Sequence, residues 1–141
     1  MSLEKVLYRA TVKSTGGRDG HSTSSDGILD VKLTVPKEMG GPGGQATNPE
    51  QLFAAGYSAC YLGALKAAAA KEKITVPPDS SVEAVVGIGP IPTGFGLEVE
   101  LRVAMPGIPQ DKVKMLIDKA HLICPYSNAT RGNIDIKSIV I

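Results

Sequence analysis

The chain has 141 residues, enough for one domain with its own hydrophobic core. Fifteen basic and fourteen acidic residues leave a net charge of +1 without a basic block, which argues against a nucleic acid partner. No stretch has the composition of a secretion signal or of a membrane span, so we expect a cytosolic protein with a single domain over residues 1–141.

The first third of the chain predicts an antiparallel meander. Leu7 to Val12 has strand composition, and a loop rich in turn residues follows from Ser14 to Gly20. His21 to Ser25 predicts a short return strand, and Leu29 to Val35 alternates apolar with polar residues, as a strand with one buried face does. The glycine-rich segment Met39 to Gly44 lacks the spacing of a nucleotide-binding loop.

The stretch from Asn48 to Glu72 predicts a long helix around which the rest of the chain is organised. Its first residue suits an N-cap, Pro49 suits the first helical position, and Gln51 completes a capping box. From Leu52 to Leu65 nearly every side chain is apolar, so we expect other elements to cover every face of this helix.

Two more strands, a second helix and a last strand follow. Val82 to Ile88 and Leu97 to Ala104 predict strands joined by the glycine- and proline-rich segment Gly89 to Gly96. Gln110 to Cys124 carries apolar residues at helical spacing, which places its last residue on the inward face, and Ile134 to Ser138 alternates like a strand. The predicted fold class is α+β, with an antiparallel sheet wrapped around a long central helix.

The two cysteines are the first candidates for chemistry. A buried free cysteine usually behaves as a small apolar residue, and reactivity requires that its thiolate be stabilised. Cys60 lies about three turns into its helix, too far from the N-terminus for the helix dipole to help, so a cation from elsewhere is needed. Arg18 is a candidate because a glycine-rich loop can project a long side chain over a buried helix.

A metal site finds little support in the sequence. His121 and Cys124 are three residues apart on a predicted helix, but His21 and Cys60 are the only other soft ligands and no motif joins them. The sequence therefore predicts neither a metal nor another cofactor.

Two long motifs resemble one known family. They are NPEQLFAAGYSAC at residues 48–60 and CPYSNATRGNI at residues 124–134. Both closely resemble the organic hydroperoxide resistance proteins, the Ohr branch of the Ohr/OsmC family, and the resemblance extends over nearly the whole chain, including the loop at residues 16–20. It implies a thiol-dependent peroxidase that acts on organic hydroperoxides, built as an intertwined homodimer with two active sites at its interface.

The resemblance also implies roles for four residues. Cys60 would attack the peroxide as a thiolate, and Cys124 would resolve the resulting sulfenic acid to a Cys60–Cys124 disulfide. Arg18 and Glu50 would form the charged pair that activates Cys60. A dithiol, such as the dihydrolipoyl group of a lipoylated protein, would reopen the disulfide.

Helix geometry adds a constraint to these roles. Glu50 and Cys60 are ten residues apart, which is about 15 Å along a helix axis, so one guanidinium cannot reach both within one helix. If one arginine contacts both groups, we predict that they come from different chains, unless Gly56 breaks the helix. Gly56, Gly63 and Ala64 are small enough to let a neighbouring backbone or a ligand approach Cys60.

Aromatic residues supply the candidates for a substrate pocket. A stripe at helical spacing consists of Phe53, Tyr57, Tyr61 and Leu65. Core packing is its simplest interpretation. Phe53 and Tyr57, together with Phe95 and Tyr126, are the members predicted to line a pocket for an alkyl chain.

Two other functions fit the same sequence. A hot-dog-like acyl thioesterase would use the carboxylate of Glu50 and would survive alkylation of its thiols. A non-catalytic binder of apolar ligands would keep the pocket and show no oxidation of Cys60.

Overall fold

The computed structural model describes residues 1–141 and divides into two compact units, Met1–Pro49 and Glu50–Ile141. Each unit holds one three-stranded sheet. None of the helices is both long enough and apolar enough to cross a bilayer. The α+β class predicted from the sequence is confirmed.

The first unit contains the predicted meander. Strands β1 (Val12–Thr15), β2 (His21–Ser24) and β3 (Asp30–Lys32) pair antiparallel in that order. Two short 3-10 helices, Gly17–Asp19 and Lys37–Met39, lie in its loops.

The strand predicted at Leu7 to Val12 is displaced toward the C-terminus. Only Val12 of that stretch pairs with β2, and residues 1–11 join no strand of the chain. Leu7 and Tyr8 are left 86% and 79% exposed. The prediction of a strand was wrong for residues 7–11 of the isolated chain, because their one ladder contact is the hydrogen bond from the Ser25 N–H to the Thr11 carbonyl.

The second unit is organised around helix α1 (Pro49–Lys71), close to the predicted bounds. One face is buried against strand and helix residues such as Leu101 and Leu116. The buried residues of that face are Tyr57, Tyr61, Ala64, Leu65, Ala68 and Ala69. The opposite face, which includes Ala59 and Gly63, is exposed, so a single chain does not cover every face as expected.

Strands β4 (Ser81–Ile91) and β5 (Gly94–Ala104) form a long hairpin. Their register is continuous from Ser81↔Ala104 to Ile91↔Gly94, so most of the predicted loop Gly89 to Gly96 belongs to the strands. The chain reverses at residues 92–93 alone, and Gly94 adopts φ 150°, a backbone conformation that L side chains rarely adopt.

The chain ends with α2 (Gln110–Ile123), α3 (Pro125–Thr130) and β6 (Ile136–Val140). Helix α3 was not predicted: the proline that stops α2 is also the first residue of the next helix, a position that suits proline. Strand β6 pairs parallel with β5, so this sheet is mixed rather than wholly antiparallel.

Candidate active site

The two cysteines, 64 residues apart in sequence, face each other in the second unit. Cys124 Sγ lies 3.6 Å from Cys60 Sγ, and both are free thiols. Cys124 is fully buried, as predicted, while Cys60 is only partly buried. One thiol is thus open to a small molecule and the other stands directly behind it.

The corner between α2 and α3 presents Cys124 to α1. Its backbone N–H still donates to the Ala120 carbonyl at 2.8 Å, which completes the last turn of α2. Its own backbone is extended (φ −66°, ψ 120°), and Pro125 then begins α3. Cys124 is therefore the C-cap of one helix and the N-cap of the next, a position set by its neighbours on both sides.

The environment of Cys60 within the chain disfavours its thiolate. Burial raises the pKa of this thiol, and the adjacent Cys124 raises the pKa further. A hydrogen bond from the backbone N–H of Tyr126 acts in the opposite direction but is the smallest of these effects. A thiolate at neutral pH therefore requires a cation near the sulfur, as the sequence had indicated.

A chain of hydrogen-bonded side chains, buried at Tyr57 and Ser127, joins the helices that carry the cysteines. Tyr57 Oη, one turn before Cys60 on α1, lies 2.8 Å from Ser127 Oγ on α3. Ser127 Oγ lies 2.9 Å from His121 Nδ1, near the end of α2. His121 Nε2 in turn lies 2.9 Å from Ser138 Oγ on β6.

The donors in this chain depend on one choice. The Thr130 hydroxyl donates to the Tyr126 carbonyl at 2.9 Å and so is no donor to Tyr57. Either hydroxyl of the Tyr57–Ser127 contact can donate to the other. Where Tyr57 donates, Ser127 donates to Nδ1 and the neutral His121 carries its proton on Nε2; where Ser127 donates to Tyr57, Nδ1 carries the proton and donates to Ser127.

His121 is a residue of the site to which the sequence assigned no role. Its spacing from Cys124 was weighed as the start of a metal site, and a core or surface histidine was preferred; in the structure both ring nitrogens contact serine hydroxyls. No group of three or more metal-ligating side chains is assembled in the structure. The serine partners lie 6 and 17 residues away, on elements whose packing the sequence does not reveal.

The pKa of His121 makes stability depend on pH. Burial lowers this pKa below its ordinary value of 6.5, and the positive charge of Arg131 lowers it further, while Asp118 partly opposes this. The unfolded chain then binds a proton first as pH falls, so the free energy of unfolding should decrease from about pH 7 downward. Asp26 and Glu100, whose carboxyl pKa values are lowered, titrate below that window.

We therefore expect urea unfolding to show a lower free energy at about pH 5.5 than at about pH 7.5. In His121→Gln that decrease should be clearly smaller, whatever the absolute stability of the variant, since glutamine does not titrate. Arg131→Met should reduce the decrease in part, because it removes one of the two causes of the lowered pKa. An equal pH dependence in wild type and His121→Gln would contradict the prediction.

Three of the four predicted substrate-binding aromatics form one cluster. The ring centroids of Phe53 and Tyr126 are 6.2 Å apart, and those of Tyr57 and Tyr126 are 5.6 Å apart. Tyr57 is fully buried, behind the partly exposed rings of the other two. Phe95 takes no part in these ring contacts and stands 73% exposed beside the β4–β5 turn, so its role stays a prediction.

Gly56 makes room for the Tyr126 ring. A Cβ at position 56 would lie 2.7 Å from Tyr126 Oη and 3.1 Å from its Cζ, closer than carbon atoms normally approach. The group that approaches is a side chain of the same unit, whereas the sequence predicted a neighbouring backbone or a ligand, and that expectation stays a prediction. A Cβ at Gly63 would meet nothing within 4 Å.

We expect Gly56→Ala to displace Tyr126 and to lower the free energy of unfolding by about 1 kcal/mol, despite the higher helix propensity of alanine. In a Tyr126→Phe background the nearest clashing atom is gone while the Cζ contact at 3.1 Å remains, so the same substitution should cost clearly less there. Urea unfolding of the four proteins gives the coupling. Identical effects of Gly56→Ala in both backgrounds would disprove the predicted clash.

The predicted charged pair is divided between the units. Arg18 lies in the 3-10 helix of the first unit, and Glu50 lies in the first turn of α1. Gly16 (φ 73°) and Gly20 close the Arg18 loop, and a Cβ at Gly20 would lie 1.8 Å from the Thr15 carbonyl oxygen. The contact of Arg18 with Cys60, and the role of Glu50, remain predictions.

The fold and the facing thiols define a class of protein: an α+β protein with two thiols that face each other between a long helix and the corner of two shorter helices. Comparison with known proteins identifies the family. The profile of the OsmC-like protein family matches residues 41–138. The chain belongs to this family, in its organic hydroperoxide resistance branch.

Individual relatives agree with this assignment. The organic hydroperoxide resistance protein of Xanthomonas axonopodis pv. citri is 59% identical over 135 residues, which cover 96% of this chain and 95% of the relative. The crystal structure of an organic hydroperoxide resistance protein OsmC from Legionella pneumophila superposes with a TM-score of 0.91 at 47% identity, covering 96% and 98% of the two chains. That of Bacillus subtilis OhrB gives 0.89 at 42% identity, covering 96% and 100%.

Proposed function

We propose that this protein is a thiol-dependent peroxidase that reduces organic hydroperoxides to alcohols and thereby contributes to organic hydroperoxide resistance. One observation carries the proposal: two free thiols lie 3.6 Å apart, one partly exposed and the other buried behind it. Relatives that share most of the chain are named for organic hydroperoxide resistance, which supports the choice of substrate class.

In the first step the Cys60 thiolate attacks an oxygen of the hydroperoxide. The O–O bond breaks, the alcohol leaves with a proton, and the sulfur becomes a sulfenic acid. Because burial and Cys124 raise the pKa of Cys60, the thiolate needs a positive partner, and we assign that role to Arg18. We assign Glu50 the role of orienting the guanidinium through its carboxylate rather than transferring a proton.

In the second step Cys124 attacks the sulfenic sulfur of Cys60. A disulfide forms and one water is released, so two thiols and one hydroperoxide yield a disulfide, an alcohol and water. A disulfide has an S–S length of about 2.05 Å. The present separation of 3.6 Å is therefore within reach of small side-chain and backbone adjustments.

The cycle closes when an external dithiol reduces the disulfide by exchange. The partly exposed Cys60 is the sulfur that such a dithiol can reach, whereas Cys124 is fully buried. We propose a dihydrolipoyl group on a lipoylated protein as the reductant, acting in the cytosol.

We further propose that the active protein is a homodimer whose interface completes the site. Residues 1–11 support this, because they form no strand in the single chain although they carry exposed apolar side chains. The exposed large apolar members are Met1, Leu3, Val6, Leu7 and Tyr8. An apolar segment of this kind favours burial against a second copy.

An alkyl chain on the hydroperoxide would bind against apolar rings near the thiols. Phe53 and Tyr126 present partly exposed rings close to the cysteine-bearing helices. Tyr57 would support them from behind, and Phe95 would contribute from its exposed position. Such contacts would favour organic hydroperoxides over hydrogen peroxide, since only the former have apolar surface to bury.

One experiment tests the proposed function. Reduced protein is mixed with one equivalent of cumene hydroperoxide, free thiols are counted, and disulfides are mapped by mass spectrometry. The peroxidase should lose two thiols per chain and yield a Cys60–Cys124 disulfide. A thioesterase that uses Glu50, or a non-catalytic binder, would keep both thiols, and that result would refute the proposal.

A further inference from the structure

The corner that carries Cys124 is tied to its surroundings by side chains as well as by its backbone. Asn128 Nδ2 donates to the Leu122 carbonyl at 3.2 Å, and Arg131 donates to the carbonyl of His121. These bonds join α2 to α3 but do not reach α1. Tyr61 of α1 donates to the Ile117 carbonyl of α2 at 3.1 Å, and the Tyr126 N–H of α3 donates to the Cys60 sulfur. The contact of Tyr57 with Ser127 is the one that continues through a second side chain, to His121, and so links all three helices.

The spacing of this chain relative to the cysteines is regular. Tyr57 precedes Cys60 by three residues on α1, and His121 precedes Cys124 by three residues on α2. Ser127 follows Cys124 by three residues on α3 and contacts both partners. Each cysteine is therefore about one helical turn from a member of the chain, so the chain fixes the two cysteine-bearing backbones against each other.

Burial makes the arrangement rigid. Tyr57 is fully buried and Ser127 is 3% exposed, so neither hydroxyl can exchange its partner for bulk water without the site opening. The ring of His121 packs against Tyr61, with centroids 4.8 Å apart, which limits its rotation. On its other side His121 faces a cavity of about 580 Å³ that Ser138 also lines, where water has access.

We propose that His121 is a positioning residue for Cys124. Acting through Ser127, it holds the α2–α3 corner close enough to α1 for Cys124 to attack oxidised Cys60. This inference rests on the proposed function, because it concerns the second of the two steps. His121 touches neither sulfur among the hydrogen-bonded contacts and transfers no proton to substrate. Its effect is confined to the condensation of the sulfenic acid with the thiol of Cys124.

The test separates the two steps in time. Reduced protein is mixed with one equivalent of cumene hydroperoxide, and samples quenched at intervals are analysed for sulfenic acid, trapped with dimedone, and for the Cys60–Cys124 disulfide. We expect Ser127→Ala and His121→Phe to form the sulfenic acid within about twofold of the wild-type rate. Formation of the disulfide should be slowed by about tenfold or more, as misplacement of two reacting groups predicts.

A double variant tests whether His121 acts through Ser127. If it does, His121→Phe should have no further effect on condensation in the Ser127→Ala background. Ser138→Ala is the matched control, because it removes a hydroxyl from the same ring on the side where water from the cavity can replace it. Its condensation rate should stay within about twofold of wild type.

A second measurement does not depend on peroxidase activity. Equilibration of each protein in a glutathione redox buffer gives the equilibrium constant of the Cys60–Cys124 disulfide, which reports how well the two sulfurs are placed. We expect this constant to fall by about tenfold in Ser127→Ala, and in the same direction in Tyr57→Phe, which keeps the ring and loses the hydroxyl.

The outcomes distinguish the two proposals. The positioning role would be overturned if Ser127→Ala and His121→Phe kept the wild-type condensation rate and the wild-type equilibrium constant. It would also be overturned if both variants slowed formation of the sulfenic acid and formation of the disulfide to the same extent. If wild type forms no disulfide with the hydroperoxide, the proposed function fails. The glutathione equilibrium then decides the positioning role: a lowered constant in the variants supports it, and an unchanged constant refutes it.

Discussion

Cys60→Ser is expected to abolish hydroperoxide consumption completely. A serine hydroxyl in the same place does not ionise at neutral pH and its oxygen is a far weaker nucleophile toward peroxide than sulfur, so no sulfenic acid can form. With cumene hydroperoxide and a dithiol present, loss of peroxide should fall to the rate of the protein-free blank, a decrease of at least about a thousandfold. The fold should persist, since Cys60 is only partly buried and its replacement is nearly isosteric.

Cys124→Ser is the matched control for this result. It retains the attacking thiol and loses the resolving one, so in the absence of a dithiol it should consume one equivalent of hydroperoxide rapidly and then stall at the sulfenic acid. Excess hydroperoxide should carry Cys60 on to the sulfinic acid, which mass spectrometry detects as a gain of two oxygens. Continued turnover by Cys60→Ser at the wild-type rate would show that the reaction does not pass through this sulfur.

The sequence was informative about the site because its strongest local patterns coincide with the chemistry. The helix that carries Cys60 begins at Pro49, as predicted from its first residues, and it contains no internal break. The apolar spacing of α2 placed Cys124 on the inward face, where it is fully buried. That the two cysteines lie close together was implied by the family resemblance, and their sulfurs are 3.6 Å apart.

What the sequence could not supply was the packing between elements. Helix α3 was missed because Pro125 was interpreted only as a stop, although it also suits the first position of a helix. The Gly89 to Gly96 segment was taken for a loop because glycine and proline are rare in strands, yet continuous pairing with the partner strand overrode that preference. The partners of His121 depend on where α3 and β6 dock, which no local pattern encodes.

The unbroken helix α1 gives the homodimer a sharp test. It runs from Pro49 to Lys71 without interruption at Gly56, so Glu50 and Cys60 of one chain stay about 15 Å apart along the axis. One arginine that contacts both the Glu50 carboxylate and the Cys60 thiolate must therefore contact Glu50 of one chain and Cys60 of the other. Each active site of the proposed dimer would then contain residues of both subunits.

Mixed dimers should show this directly. Glu50→Gln and Cys60→Ser are each expected to inactivate both sites of their own homodimers, the first by at least about a hundredfold because the arginine loses its anchor. In a dimer with one chain of each kind, one site receives Cys60 from the first chain and Glu50 from the second and is complete. With random mixing, half of the dimers are mixed and one of their two sites works, so activity should recover to about one quarter of wild type.

The matched control places both substitutions in one chain. Co-expression of the Glu50→Gln/Cys60→Ser double variant with wild type yields one complete site per mixed dimer if the site lies within a chain. If the site is shared between chains, both sites of such a dimer are incomplete, because each intact residue of the wild-type chain then faces a substituted position of the double variant. Differently tagged chains allow the mixed dimers to be isolated before assay. If activity recovers only with the double variant, Glu50 and Cys60 belong to one site within one chain. Because α1 is unbroken, that result would also exclude a single arginine that contacts both residues.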